Sequence, residues 1–162
     1  MAMIEIVCET GDNVHVAGES LVGVSLENQN LHRALLDGFN LKGANLSGAS
    51  LRSAWIEGAT LDEAMLRKTN FAAVNASNAR FVNANLEEAF MRSGMYQGAN
   101  FDGACLLGAN VGRSDFSGAS FRSSDLRCVA LSEAILTDAI FDVATTWPDG
   151  FDPIAAGAKL VS

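Results

Sequence analysis

Several things that enzymes, membrane proteins and nucleic-acid binders need are scarce in this 162-residue sequence. It has only two histidines, His15 and His32. Neither has a Cys, His or carboxylate at metal-ligand spacing, so no metal centre is expected. The glycines fall at regular intervals and open no helix, which excludes a phosphate-binding loop. The three cysteines, Cys8, Cys105 and Cys128, form no CxxC pair and are odd in number. That pattern suits reduced thiols and a cytoplasmic location. No apolar run approaches the length of a membrane span. The first thirteen residues contain Glu5, Glu9 and Asp12 but no Lys or Arg, the wrong charge for a signal or transit peptide. Positive charge is also short: 11 Lys and Arg stand against 19 Asp and Glu, for a net charge of -8. That balance argues against direct nucleic-acid binding and against a membrane-surface role, and it also keeps a protein soluble.

What the sequence does contain is a repeat. Reading every fifth residue from Leu21 to Phe141 gives Leu, Ile, Phe, Met, Tyr or Val at every position except Ala76. Two residues earlier the commonest residue is Ala, as at Ala44, Ala49, Ala54, Ala59 and Ala64. The residue between is often Asn, Asp or Ser, as at Asn40, Asn45, Asn100, Asn110 and Asp115. A period of five fits neither standard element. On an α-helix the apolar positions would smear around the cylinder, because five residues rotate the side chain by roughly 500°. On a flat strand, positions five apart point to opposite faces. Every fifth side chain stays inside only if the chain turns a corner at each repeat and winds as a solenoid.

The number of sides is legible too. Positions 20 apart form uniform columns: Leu26, Leu46, Leu66, Leu86, Leu106 and Leu126 in one. In a second, Leu21, Leu41 and Leu61 give way to Phe81, Phe101, Phe121 and Phe141. A corner column reads Gly38, Gly58, Asn78, Gly98, Gly118 and Asp138, the residues that a turn with one positive φ favours. Gly98 is therefore expected at a type II turn, with Ser93 in an ordinary conformation. Grouping at 15 residues yields no comparable columns, so four sides per coil are expected. The single small central residue, Ala76, follows Val74, and Gly94 precedes Tyr96; both pairs exchange volume so that the core stays filled.

These tandem Ala-Asn-Leu-x-Gly units resemble the pentapeptide-repeat family over about residues 14–143. The resemblance implies an all-β fold, a right-handed four-sided β-helix of about six coils. The family has no shared active site, so the resemblance implies no enzyme and no cofactor. Some relatives act as non-enzymatic regulators of cell differentiation in filamentous cyanobacteria by binding other proteins. A second branch, associated with quinolone resistance, mimics DNA and modulates type II topoisomerase (gyrase). The uninterrupted repeat, the spread acidic residues and the lack of a long C-terminal amphipathic helix favour the first: a protein-interaction or regulatory scaffold, monomeric or weakly dimeric. The C-terminal tail is loosely similar to those of cyanobacterial members.

Three segments follow: an N-terminal cap over 1–13, the β-helix over 14–143, and a C-terminal cap over 144–162. Ile4–Cys8 reads as a capping strand and 154–160 as a short helix, with Trp147 and Phe151 as lid residues. Glu19 and Gln29 stand where later repeats have Ala, so the first coil is imperfect. On the surface, the side centred on Leu31, Leu51, Phe71, Met91, Val111 and Leu131 carries His32, Arg33, Arg52, Arg92 and Arg113, with Glu133 its only carboxylate. The next side carries Asp37, Glu57, Asp115 and Asp138 without Lys or Arg. Arg33, Arg52, Phe90, Arg92 and Arg113 form the candidate partner-binding surface, with Ala72 and Ala73 leaving a gap between Arg52 and Arg92. Outward apolar residues, with Leu35 and Trp55 in one column, form a second candidate patch. A solvated surface with chance charge asymmetry and scattered apolar residues is the ordinary alternative for both.

Overall fold

One repeat shows why this sequence folds as it does. In the computed structural model, which describes residues 1–162, the carbonyl of Leu41 accepts the N–H of Ala44 across a turn (3.0 Å). Gly43 at that turn has φ 66°. The Gly43 N–H donates to Asp62 (2.9 Å) and that of Leu46 to Met65 (2.8 Å), both on the next coil, while Asn45 donates back to Val24 (2.8 Å) on the previous one. One N–H, that of Ser47, is left over. The Asn45 side-chain oxygen accepts it at 3.1 Å. All five N–H groups of the unit are thereby satisfied, and the role of Asn or Asp before the central residue is explained. The same bond recurs from Asn40, Asn70, Asn75, Asn85, Asn100, Asn110, Asp115 and Asp125.

Stacked units pair in parallel at a separation of 20 residues, as in Ser25↔Asn45↔Met65↔Asn85↔Cys105↔Asp125. Four such ladders run the length of the rod, one per side, and the right-handed four-sided β-helix is confirmed. The interior is solid. Leu46, Leu66, Leu86 and Leu106 are fully buried. Phe81, Phe101 and Phe121 stack face to face, with centroids 4.8 and 5.3 Å apart. That is the strand spacing, so each ring lies on the ring of the next coil. Tyr96 and Phe116 form a second stack at 5.0 Å, meeting the first edge to face. Thr69, Ser114 and Ser124 replace Ala inside, and each hydroxyl donates to a backbone carbonyl, of Leu46, Met91 and Phe121 respectively. A Cβ on residue 94 would lie 2.4 Å from the Tyr96 ring, so Gly94 provides the room that the larger ring requires.

The corners differ from expectation in one respect. Gly98 has the expected positive φ of 67°, but so does Ser93, at 58°. Arg33, Ser53, Lys68, Ala73, Glu88 and Arg113 share this conformation. The turn is imposed at all four corners by inter-coil pairing, which outweighs the roughly 1 kcal/mol that a side chain costs there.

The ends depart further. Strand β1 (Met3–Ile6) pairs antiparallel with β2 (Val14–Ala17), so residues 14–17 belong to a capping hairpin and not to a coil. Regular coil pairing starts at Ser25. Residues 7–9 continue along the first coil: Leu35 donates to the Val7 carbonyl (2.8 Å) and Glu9 to that of Arg33 (3.1 Å). At the far end the phase slips by one residue, Asn110 pairing with Val129, and Leu131–Glu133 form a 3-10 turn. The chain then returns. Strand β3 (Ile140–Phe141) pairs in parallel with β4 (Lys159–Leu160), which extends the ladder beyond residue 143. The helix expected over 154–160 does not form. Asp152 caps a single turn by accepting the Ala155 N–H, and Gly157 (φ 95°) ends it, with Ala158 donating to Pro153 and Gly157 to Ile154. Trp147 packs edge-on against Phe141 and stacks on Phe151, closing the core.

Candidate functional site

The positions after each central residue point outward, so a column of them is a stripe along the rod. On the side of Leu51, Phe71 and Met91 those positions are Arg52 and Ser53, then Ala72 and Ala73, then Arg92 and Ser93. The small middle pair leaves two adjoining depressions of about 350 and 300 Å³. Arg52 and Ala73 line both. Together they form a trough one coil wide. Ala72, Ala73 and Asn75 make its floor, Arg52 and Trp55 one wall, and Arg92 and Met95 the other. Phe90 flanks the arginine end.

Of the five residues expected to form the site, Arg52, Phe90 and Arg92 meet here. Arg33 reaches its edge, and Arg113 stands apart from it. The structure also joins what the sequence reading kept separate: Trp55 lies in the same depression as Arg33 and Arg52. Met95 enters from the same ladder, Leu35↔Trp55↔Asn75↔Met95. Column arithmetic at 20 residues would have found it.

Electrostatics single out one residue. Every Lys and Arg has a carboxylate within 4.0 Å except Arg52. Arg33 binds Glu9 of the N-terminal segment (2.8 Å), so the basic wall is partly neutralised from outside the repeat. Glu133 on the 3-10 turn reaches Arg92 at 3.3 Å and Arg113 at 3.9 Å. The Arg92 guanidinium is seated over Gly112, where a Cβ would lie 2.6 Å from its Nη1. Gly112 lies 20 residues after Arg92, at the same position on the next coil. Arg52, with His32 and Arg33 on one side and two alanines on the other, has no acid to reach.

The apolar rim has a structural cost. Trp55, Phe90 and Met95 occupy the slot where Asn or Asp accepts a backbone N–H, and all three are exposed. At Trp55 the loss is offset, since Asp37 accepts the Glu57 N–H at 2.7 Å. The N–H groups of Arg92 and Gln97 have no such partner. The displaced pKa values lie elsewhere: hydrogen bonds from Arg127 lower Asp125, and the Ser123 N–H lowers Asp142. No cluster of three or more His, Cys, Asp or Glu side chains is placed to hold a metal ion. No helix is long and apolar enough to cross a membrane.

A family model for pentapeptide repeats, in eight copies, matches residues 20–54, 56–92 and 114–142, more than half of the chain. Among solved structures, the chain is similar to HetL, a pentapeptide repeat protein involved in heterocyst differentiation regulation from the cyanobacterium Nostoc sp. strain PCC 7120. The identity is 25%, over 83% of this chain and 71% of that one, with a TM-score of 0.35. Rfr23, from the cyanobacterium Cyanothece 51142, is 25% identical over 78% of this chain and 89% of its own, with a TM-score of 0.41. QnrB1, a plasmid-mediated fluoroquinolone resistance protein, is 17% identical over 91% and 87%, with a TM-score of 0.44. No curated protein matches the chain.

Proposed function

This chain belongs to the pentapeptide-repeat family, and from that premise we propose that it is a non-enzymatic protein-binding module whose docking surface is the trough around Arg52. One observation carries the reading: the only Lys or Arg side chain without a carboxylate partner lines a depression rimmed by exposed Trp55, Phe90 and Met95. Arginine and aromatics are what interface centres concentrate. A rod with solid walls offers a partner a rigid grid of side chains at strand spacing and little to reorganise on binding. The three free cysteines support a reducing compartment such as the cytoplasm.

The test is affinity capture from the source organism, followed by binding of the captured protein in purified form. Arg52→Glu with Arg92→Glu should lower its affinity at least tenfold while the melting temperature stays within a degree or two. Unmutated binding should weaken with salt. Native affinity in the double variant would reduce the trough to solvated surface. The alternative, an acidic rod that acts on type II topoisomerase as a DNA mimic, has the net charge of -8 in its favour. The Arg33–Arg52–Arg92 wall opposes it, since a DNA-binding saddle is itself positive.

A further inference from the structure

The trough also restricts the chemistry of what it takes. Its two walls stand two coils apart, roughly 10 Å by strand spacing, and the coil between them carries only small residues on this stripe. A gap of that width holds one extended chain and is too narrow for a helix, whose diameter with side chains is about 10–12 Å. The trough is chemically polar along its length. One end has the Arg52 guanidinium, with the Arg92 side chain on the facing wall; the other has Trp55 and Met95. The Arg92 guanidinium is turned out of the trough, over Gly112 on the next coil and onto Glu133. Arg52 supplies the unneutralised charge. The protein shows elsewhere on this wall which ligand its arginines accept, because Glu9 and Glu133, both from segments outside the regular repeat, occupy Arg33 and Arg92.

We infer that the occupant is an extended peptide segment of a partner protein, with a carboxylate two residues from a large apolar side chain. The carboxylate seats on Arg52, the guanidinium without an acid of its own, and the apolar side chain lies across Trp55 and Met95. Side chains two apart on an extended chain share a face and lie about 7 Å from one another, so both can enter one trough. The inference rests on the protein-binding reading above and names the ligand class for that site.

The experiment uses the full chain and a capped hexapeptide containing one glutamate two residues before a leucine. Its two counterparts carry glutamine for the glutamate or alanine for the leucine. Titrations are followed by the arginine Nε–H signals in NMR spectra and by calorimetry. The glutamate–leucine peptide should move the Arg52 signal and saturate at sub-millimolar to millimolar concentration. Each counterpart should bind at least tenfold more weakly. Arg52→Met keeps the aliphatic stem and should lose the preference for glutamate over glutamine. Equal binding of the glutamate and glutamine peptides would overturn the inference, as would no measurable binding by the unmutated protein. Either result with charge reversal still abolishing partner binding leaves the docking surface standing and removes only its ligand class. If charge reversal also leaves the partner bound, both fail.

Discussion

Tyr96 is the only tyrosine in the chain and is completely buried, which makes one core atom open to direct measurement. Its ring stacks on Phe116 at 5.0 Å and meets Phe101 and Phe81 edge to face at 5.7 and 6.2 Å. Its hydroxyl has no hydrogen-bond partner. A buried hydroxyl without a partner costs about 1–3 kcal/mol, while the loss of one oxygen's packing costs a fraction of that. Tyr96→Phe should therefore stabilise the protein by about 1 kcal/mol at neutral pH. For a domain of this size that raises Tm by about 2–4 °C. The pH dependence sharpens the test. Burial pushes the phenol well above its ordinary value of 10.0, so the folded state keeps a proton that the unfolded chain releases. Such a group contributes stability below about pH 10 and loses it as pH rises further. The advantage of Tyr96→Phe should widen by about 1.4 kcal/mol per pH unit above about pH 10, until the folded phenol itself ionises. Lys and Arg titrate in both proteins and cancel in the difference. The assay is chemical denaturation of both proteins from pH 7 to 11, with absorbance at 295 nm reporting tyrosinate. Native protein should show no tyrosinate at pH 11, and it should appear with the unfolding transition. A destabilised Tyr96→Phe, or a native phenol that titrates near 10, would show that the hydroxyl has a partner or meets solvent.

Leu86→Asp places a carboxylate in a column with no exposure and should unfold the rod by several kcal/mol, read as loss of the cooperative thermal transition. Gly98→Val and Ser93→Val should both destabilise by about 1–2 kcal/mol in urea melts, since both residues have positive φ and valine resists it. Neutral results at both sites would mean that the corners relax. At the far end, burial pushes the Cys128 thiol up to about 12, so it should stay unmodified by iodoacetamide at pH 8 until the protein is denatured. Purified protein at micromolar concentration should leave DNA gyrase supercoiling unaffected, and strong inhibition would favour the topoisomerase reading.

The inward frame, the four sides and the aromatic stack follow from single-residue periodicity. In a solenoid each residue meets the one 20 positions away, so Leu86 over Leu66 and Phe101 over Phe81 are legible as soon as the period is known. So is the trough floor, because Ala72 and Ala73 stand between larger residues in their own columns. Three features needed the tertiary structure. Positive φ at Ser93 and Arg33 comes from inter-coil hydrogen bonding at every corner, which overrides the glycine preference visible in only some repeats. The hairpin of residues 3–17 took Val14 and Val16 out of the helix, since a reversing turn at Gly11–Asn13 let β1 satisfy that strand's backbone first. Above all, the solitude of Arg52 was decided by the non-repeating segments. Glu9 reaches Arg33, and Glu133, on the 3-10 turn, reaches Arg92 and Arg113. The Glu9–Arg33 and Glu133–Arg92 pairs lie off the 20-residue grid and carry no periodic signal, so only the folded chain shows that their reach ends before Arg52.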